Sequence, residues 1–263
     1  RREVLRRQSE ADADVAFGAE EGAGDDLDVE FLAQARGEGL RVGDAVDADD
    51  VNALRMLARV AEKAGHLDEA ERLLRRAIEL KPRFDEARLH LARVLNDNDR
   101  LADAVDCAAE VTRVSPRNSL AHYLHGGLLA QLRRHEDAIA AYRESIHLRT
   151  DNPAAWEGLG HVLKALGRQE EGIAAYREAL RLRPGLGEVW WSLANLKTFR
   201  FNDDDLAAME QGLSDAGEHN ENRVNFLFAL GKALEDRGEF SAAFARYDEA
   251  NRIQRMRLSY DPV

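Results

Sequence analysis

The sequence predicts an all-α fold, an α-solenoid of antiparallel helical hairpins, and three observations predict it. Helix-terminating prolines recur, with Pro82 and Pro116 standing 34 residues apart and Pro184 lying two further such periods on. Glycines Gly65, Gly167 and Gly238 fall where a first helix has to end and the chain turn. Between these points small and large apolar residues return at helical spacing, and no alternating strand pattern interrupts them. One hairpin cannot bury its own apolar face, so the repetition itself implies stacking, and an isolated repeat is expected to be unfolded.

The elements follow in order. Residues 1–50 are acidic and poor in periodic apolar residues, with Glu20-Glu21 and Asp25-Asp26 among them, and are expected to be largely irregular. One short amphipathic helix fits at Leu27 to Arg36, where Leu27, Phe31, Leu32 and Ala35 share a face. Four repeat units are assigned to 51–186. The first carries Leu54, Leu57, Ala58 and Ala61, then Ala70, Leu74, Ala77 and Pro82. The second carries Leu91, Ala92, Leu95, Ala104, Ala108, Val111 and Pro116, with the polar run Asn96 to Asp99 in place of the turn glycine. The third has Gly126, Leu129, Ala138 and Tyr142; the fourth has Trp156, Leu159, Gly160, Leu163, Tyr176, Ala179 and Pro184.

Residues 187–223 read as a degenerate hairpin. It opens with Trp190, Leu193 and Ala194, lacks a turn glycine, and restarts as a helix at Asn202 or Asp203, where Asp203 to Asp205 suit a helix N-terminus. A final unit at 224–257 carries Leu227, Leu230, Gly231, Leu234, Ala243, Tyr247 and Ala250, and 258–263 lead out toward a further domain. Gly160, Ala70 and Ala243 are expected to let paired helices approach. Tyr142, Trp156, Tyr176 and Tyr247 are expected to fill the space between neighbouring hairpins.

These residues match the tetratricopeptide (TPR) pattern of W-x2-L-G-x2-Y, then A-x3-F, then P, so the chain resembles that family over 51–257. The resemblance implies a right-handed TPR superhelix with a concave wall built from successive first helices. On that wall the candidate peptide-binding residues are Asn52, Arg55, Arg59 and Lys63, then Arg93 and Asn96, then Tyr123, then His161 and Lys164, and finally Trp191, Asn195, Phe228 and Lys232. The wall is basic at its start and aromatic toward its end, which suits an extended acidic peptide, although Glu62, Glu86, Asp97 and Glu157 dilute the charge. Neither the paired Lys and Asn of chaperone-tail clamps nor a repeating Asn ladder is present.

Two strings are more specific. Trp190 to Phe201 and Phe228 to Asp236, with the ending Tyr260-Asp261-Pro262, are similar to bacterial proteins that join TPR units to a sulfotransferase domain. That resemblance implies a parent enzyme using 3′-phosphoadenylyl sulfate (PAPS), with this chain as its acceptor-recruiting region. The chain has no Pro-Arg-Ser-Gly-like phosphate loop, so it is expected to be inactive alone and to hold no cofactor of its own. The alternative is a free-standing scaffold.

Other chemistry finds little support. The formal charge of −12 disfavours nucleic acid as a partner. Cys107 is the single cysteine, excluding an internal disulfide and a multi-thiolate zinc site, and it reads as an inert core thiol. His122 and His125 share a helix face but fall at interior positions. His90 has no carboxylate evidently positioned with it, so no metal site is assigned. No apolar run approaches the ~20 residues needed to span a bilayer, and the expected location is the cytoplasm. The chain begins without Met, as a piece of a longer protein would.

Overall fold

The computed structural model describes residues 50–196, 198–217 and 221–257. The irregular segment 1–49, its short helix at 27–36, and the lead-out 258–263 lie outside the described residues. Among the described residues there are twelve α-helices and no strand. The chain divides into two compact units, residues 1–150 and 151–263.

The first unit holds three hairpins: α1 (Val51–Lys63) with α2 (Leu67–Leu80), α3 (Asp85–Asp97) with α4 (Leu101–Val114), and α5 (Ser119–Gln131) with α6 (His135–Leu148). Side-chain caps start two of the three first helices, with Asp50 accepting from the Asn52 and Ala53 amides before α1 and Asn118 from the Ala121 amide before α5. Each first helix then ends in the same way. Residues Gly65, Asp99 and Arg133, spaced by the 34-residue period, take a left-handed backbone with φ of 77°, 57° and 60°. The amides that follow, of His66, Arg100 and Arg134, reach back to the carbonyls of Ala61, Leu95 and Leu129 at 2.8–2.9 Å. This closes the helix in a Schellman motif.

Successive hairpins stack, α2 on α3 and α4 on α5. The buried layer includes Leu54, Leu57, Leu73, Leu74, Leu91, Leu95 and Leu129. Burying each such side chain is worth about 1.5–3 kcal/mol.

The second unit begins with a regular hairpin, α7 (Pro153–Ala165) and α8 (Gln169–Leu182), closed at Gly167 with φ 77°. It continues with α9 (Gly187–Ala194), α10 (Asp203–Asp215), α11 (Glu221–Asp236) and α12 (Phe240–Arg257). Here the pattern breaks. α9 has only 8 residues and packs chiefly on α11, while α10, its partner in sequence, also packs on α11 and scarcely touches α9. The segment between them is fixed by aromatic contacts, with Phe199 edge-on to Phe201 at 5.0 Å and Phe201 tilted against Trp190 at 6.0 Å.

α10 starts as its sequence requires. Asn202 accepts from the Asp205 amide and Asp205 accepts from the Asn202 amide, a reciprocal capping box. The Asp205 carboxylate also receives both Arg177 terminal nitrogens from α8, and the Arg177 guanidinium lies 5.0 Å over the Phe199 ring.

The rings of Tyr142, Tyr176 and Tyr247 each lie on the glycine of their own hairpin, at Gly126, Gly160 and Gly231, and Tyr176 shares a core cluster with Val189, Trp190 and Leu193 of α9. The first two hairpins hold Ala58 with Leu74 and Ala92 with Ala108 at those positions, all buried.

Candidate functional site

The candidate wall is built from first helices, and the two units are taken separately. In the first, Asn52 and Lys63 are exposed, while Arg55, Arg59, Arg93 and Asn96 are half-buried. Arg93 does not contribute a simple positive charge, because its Nη2 donates to Glu62 Oε2 at 2.8 Å. The same Oε2 meets His90 Nε2 at 2.7 Å. A carboxylate is therefore positioned with His90 after all, contrary to the sequence reading. Burial raises the Glu62 carboxyl, but the His90 bond and the Arg93 charge outweigh it and leave the group below the ordinary carboxylate range. Burial lowers His90 in spite of its bond to Glu62, so the imidazole is neutral at pH 7 and donates.

Arg55 stands beside this cluster, near enough that its charge disfavours protonation of His90. Its Nε is enclosed and makes no hydrogen bond. Tyr123, expected at an exposed position, is 6% exposed, with its ring against Tyr142 at 6.0 Å. It is a core residue.

In the second unit, His161 is half-buried and hydrogen bonded through Nδ1 to the Tyr176 hydroxyl at 2.9 Å. Burial raises the Tyr176 phenol. Lys164 donates to the Ser192 carbonyl at 3.3 Å, and burial lowers its ammonium against the pull of Glu188. Trp191 and Phe228, from α9 and α11, lie 5.1 Å apart and form a half-buried aromatic shelf. Asn195 is exposed and donates to the Trp191 carbonyl, while Lys232 is bonded to Asp236, which offsets its charge. The buried carboxylate of Glu157 lies 3.8 Å from His161 Nε2, and its Oε1 has no hydrogen-bond partner.

The remaining candidates resolve into structural roles. His122 is half-buried and donates from Nε2 to the Pro116 carbonyl. Arg88 does the same to Pro82 and Trp190 to Pro184, one device at one register position. His125 is half-buried, and burial lowers it. Cys107 is half-buried rather than in the core, and burial pushes its thiol up, away from the reactive thiolate. Among the described residues no group of three His, Cys, Asp or Glu is placed to hold a metal ion, and no helix is long and apolar enough to cross a membrane.

The comparisons with known proteins agree on the repeats. Sequence profiles of the tetratricopeptide repeat match residues 61–132, 120–152 and 153–196, a continuous stretch over half the chain. The chain is built of tetratricopeptide repeats. Among solved structures, a TPR-type neighbour from a study of Pseudomonas aeruginosa PilF has a TM-score of 0.62 at 19% identity, covering 77% of this chain and 91% of that one. A MamA crystal structure gives 0.50 at 17% identity over 81% and 97% of the two chains. MamA residues 41 to the end from Desulfovibrio magneticus give 0.50 at 15% over 80% and 97%. At these identities the likeness establishes the TPR fold alone. No curated protein sequence matches the chain. The matched profiles describe the repeats and do not extend to the sulfotransferase resemblance.

Proposed function

We propose that this chain is a protein-binding TPR module that receives an extended acidic peptide on its first-helix wall. The observation that carries the reading is Arg55. Its cation is half-buried beside the neutral His90, while the charge of Arg93 is already paired with Glu62. An anionic side chain of a partner is drawn to the accessible part of this guanidinium, and such charge-assisted bonds are the strong ones. In the second unit, taken by itself, the Trp191–Phe228 shelf suits an apolar or aromatic side chain.

The test is fluorescence anisotropy with a library of acidic, tyrosine-containing peptides. Saturable binding is expected, weakened about tenfold or more by Arg55→Glu, but not by Arg76→Glu on the exposed face of α2. Absence of binding, or binding indifferent to both changes, favours a structural scaffold.

The narrower reading is recruitment of an acceptor for a PAPS-dependent sulfotransferase domain, in the cytoplasm. It is supported by the strings Trp190 to Phe201 and Phe228 to Asp236. A phosphate-binding loop encoded downstream in the same reading frame supports it. A frame that closes without one leaves the free-standing scaffold.

A further inference from the structure

The last helix exposes a face that earlier second helices cover. Six residues beyond the left-handed turn residues Asp99 and Gly167 stand Val105, which is buried, and Ile173, which packs against the core of the second unit. Six residues beyond Gly238 stands Phe244, which is 71% exposed, and one turn before it Phe240 is 69% exposed. Phe244, Tyr247, Asp248, Asn251, Gln254 and Arg255 line a hollow of about 450 Å³ on this face. An apolar strip of this kind on a repeat end calls for a helix to cover it.

The charge along α12 says which helix fits. Its final turns, from Asn251 to Arg257, carry Arg252, Arg255 and Arg257 and no carboxylate, while Glu239 precedes its start. Helices joined in this array by tight turns run antiparallel, so a covering helix in the same relation puts its N-terminal end beside those arginines. Outside the described residues the sequence contains one segment with the matching order. Asp25, Asp26, Asp28 and Glu30 come first, Leu27, Phe31, Leu32 and Ala35 share a helical face, and Arg36 ends it. Laid antiparallel on α12, its carboxylates meet Arg252 and Arg255, its apolar face meets Phe244 and Phe240, and Arg36 approaches Glu239.

We propose that residues 25–36 of a second copy dock on the Phe240–Phe244–Arg255 face of α12, so that the protein associates head to tail. The two surfaces differ, so each copy keeps one of each free. Such a heterologous contact extends into open chains unless its rotation closes a ring.

Sedimentation velocity on the full chain over a range of concentrations tests this. The wild type is expected to form species that grow with concentration. Phe240→Ser/Phe244→Ser and, separately, Phe31→Asp are each expected to sediment as monomers. An equimolar mixture of those two variants retains one intact donor segment and one intact acceptor face, and is expected to stop at a dimer. Phe240 and Phe244 are exposed, and unchanged thermal melts of all the variants establish that folding is unaffected. A wild type that stays monomeric throughout overturns the proposal. Association that survives Phe31→Asp overturns the assigned occupant, pointing to pairing of α12 with itself.

Discussion

Gly160 lies beneath the ring of Tyr176, sixteen residues further on in the same hairpin, so closely that a Cβ at 160 would stand 2.6 Å from two ring carbons. The ring is fully buried and its hydroxyl is held on His161, which leaves it no room to yield. Gly160→Ala is therefore expected to destabilise the second unit by about 1–3 kcal/mol, although alanine is the better helix former. The first hairpin uses Ala58 with Leu74 at the same register, so Gly160→Ala/Tyr176→Leu should recover part of the loss. Urea midpoints of the four proteins in this cycle check it, and a double variant no better than the sum of its parts rules the explanation out.

The turn at Arg133 offers the opposite sign. Its φ of 60° is the backbone that Gly65 and Gly167 adopt at the equivalent positions without a side chain to strain. The left-handed conformation costs an ordinary residue about 1–2 kcal/mol, and glycine returns part of that in unfolded-state entropy. Arg133→Gly is expected to raise stability by about 0.5–1 kcal/mol, read from the urea midpoint. The same change at Asp99 should gain less, because aspartate tolerates this region better.

These two turns show how far the residues alone could be read. The 34-residue period, the turn positions and the start of α10 were legible because each depends on local chemistry: a proline, a left-handed residue, a capping carboxylate. Contacts across hairpins were harder, because they join residues with no local signature. Glu62 reaches His90 28 positions on and Arg93 31 on; Arg177 reaches Asp205 at 28; Arg100 reaches Glu71 at 29. One period less a turn or so of helix was thus a usable rule for pairing, and applying it would have found Glu62 beside His90. Tyr123 was misplaced for a different reason. Periodicity gives the face of a helix but not how deeply a neighbouring ring, here Tyr142, covers it. The packing of α9 on α11 was not legible at all, since it depends on a shortened helix and the aromatic contacts of Phe199 and Phe201.

The Arg177–Asp205 pair ties α8 to the start of α10 across that irregular region. Asp205 is 6% exposed at its side chain, accepts from both guanidinium terminal nitrogens, and completes the capping box. Asp205→Ala removes all three contacts and is expected to cost about 2–3 kcal/mol, with Arg177 left partly solvated. Asp205→Asn keeps the shape but loses the charge and should fall between. Near-ultraviolet circular dichroism of Trp190 and Trp191 together with urea midpoints checks this. A change confined to the melting point, with the aromatic signal intact at low temperature, is the expected pattern. An Asp205→Ala variant as stable as the wild type would show that the pair contributes nothing net.

Acid should act on the first unit in two steps. Burial holds His90 below its ordinary value of about 6.5, so as pH falls below that value the unfolded chain takes up a proton that the folded one resists, and stability drops. Glu62 is held below the ordinary carboxylate range, so its contribution is complete above the unfolded carboxyl value and is lost as pH falls through the folded one. The wild type should therefore weaken first between about pH 7 and pH 5.5, and again in the range where carboxylates titrate. His90→Gln keeps a donor for Glu62 and cannot titrate, so it should flatten the first step and leave the second. Subtracting its urea midpoints from those of the wild type at each pH isolates His90 from the other histidines. A difference that rises on acidification from pH 7 would mean that protonated His90 gains more from Glu62 than burial costs it, and would reverse the assignment of the neutral imidazole.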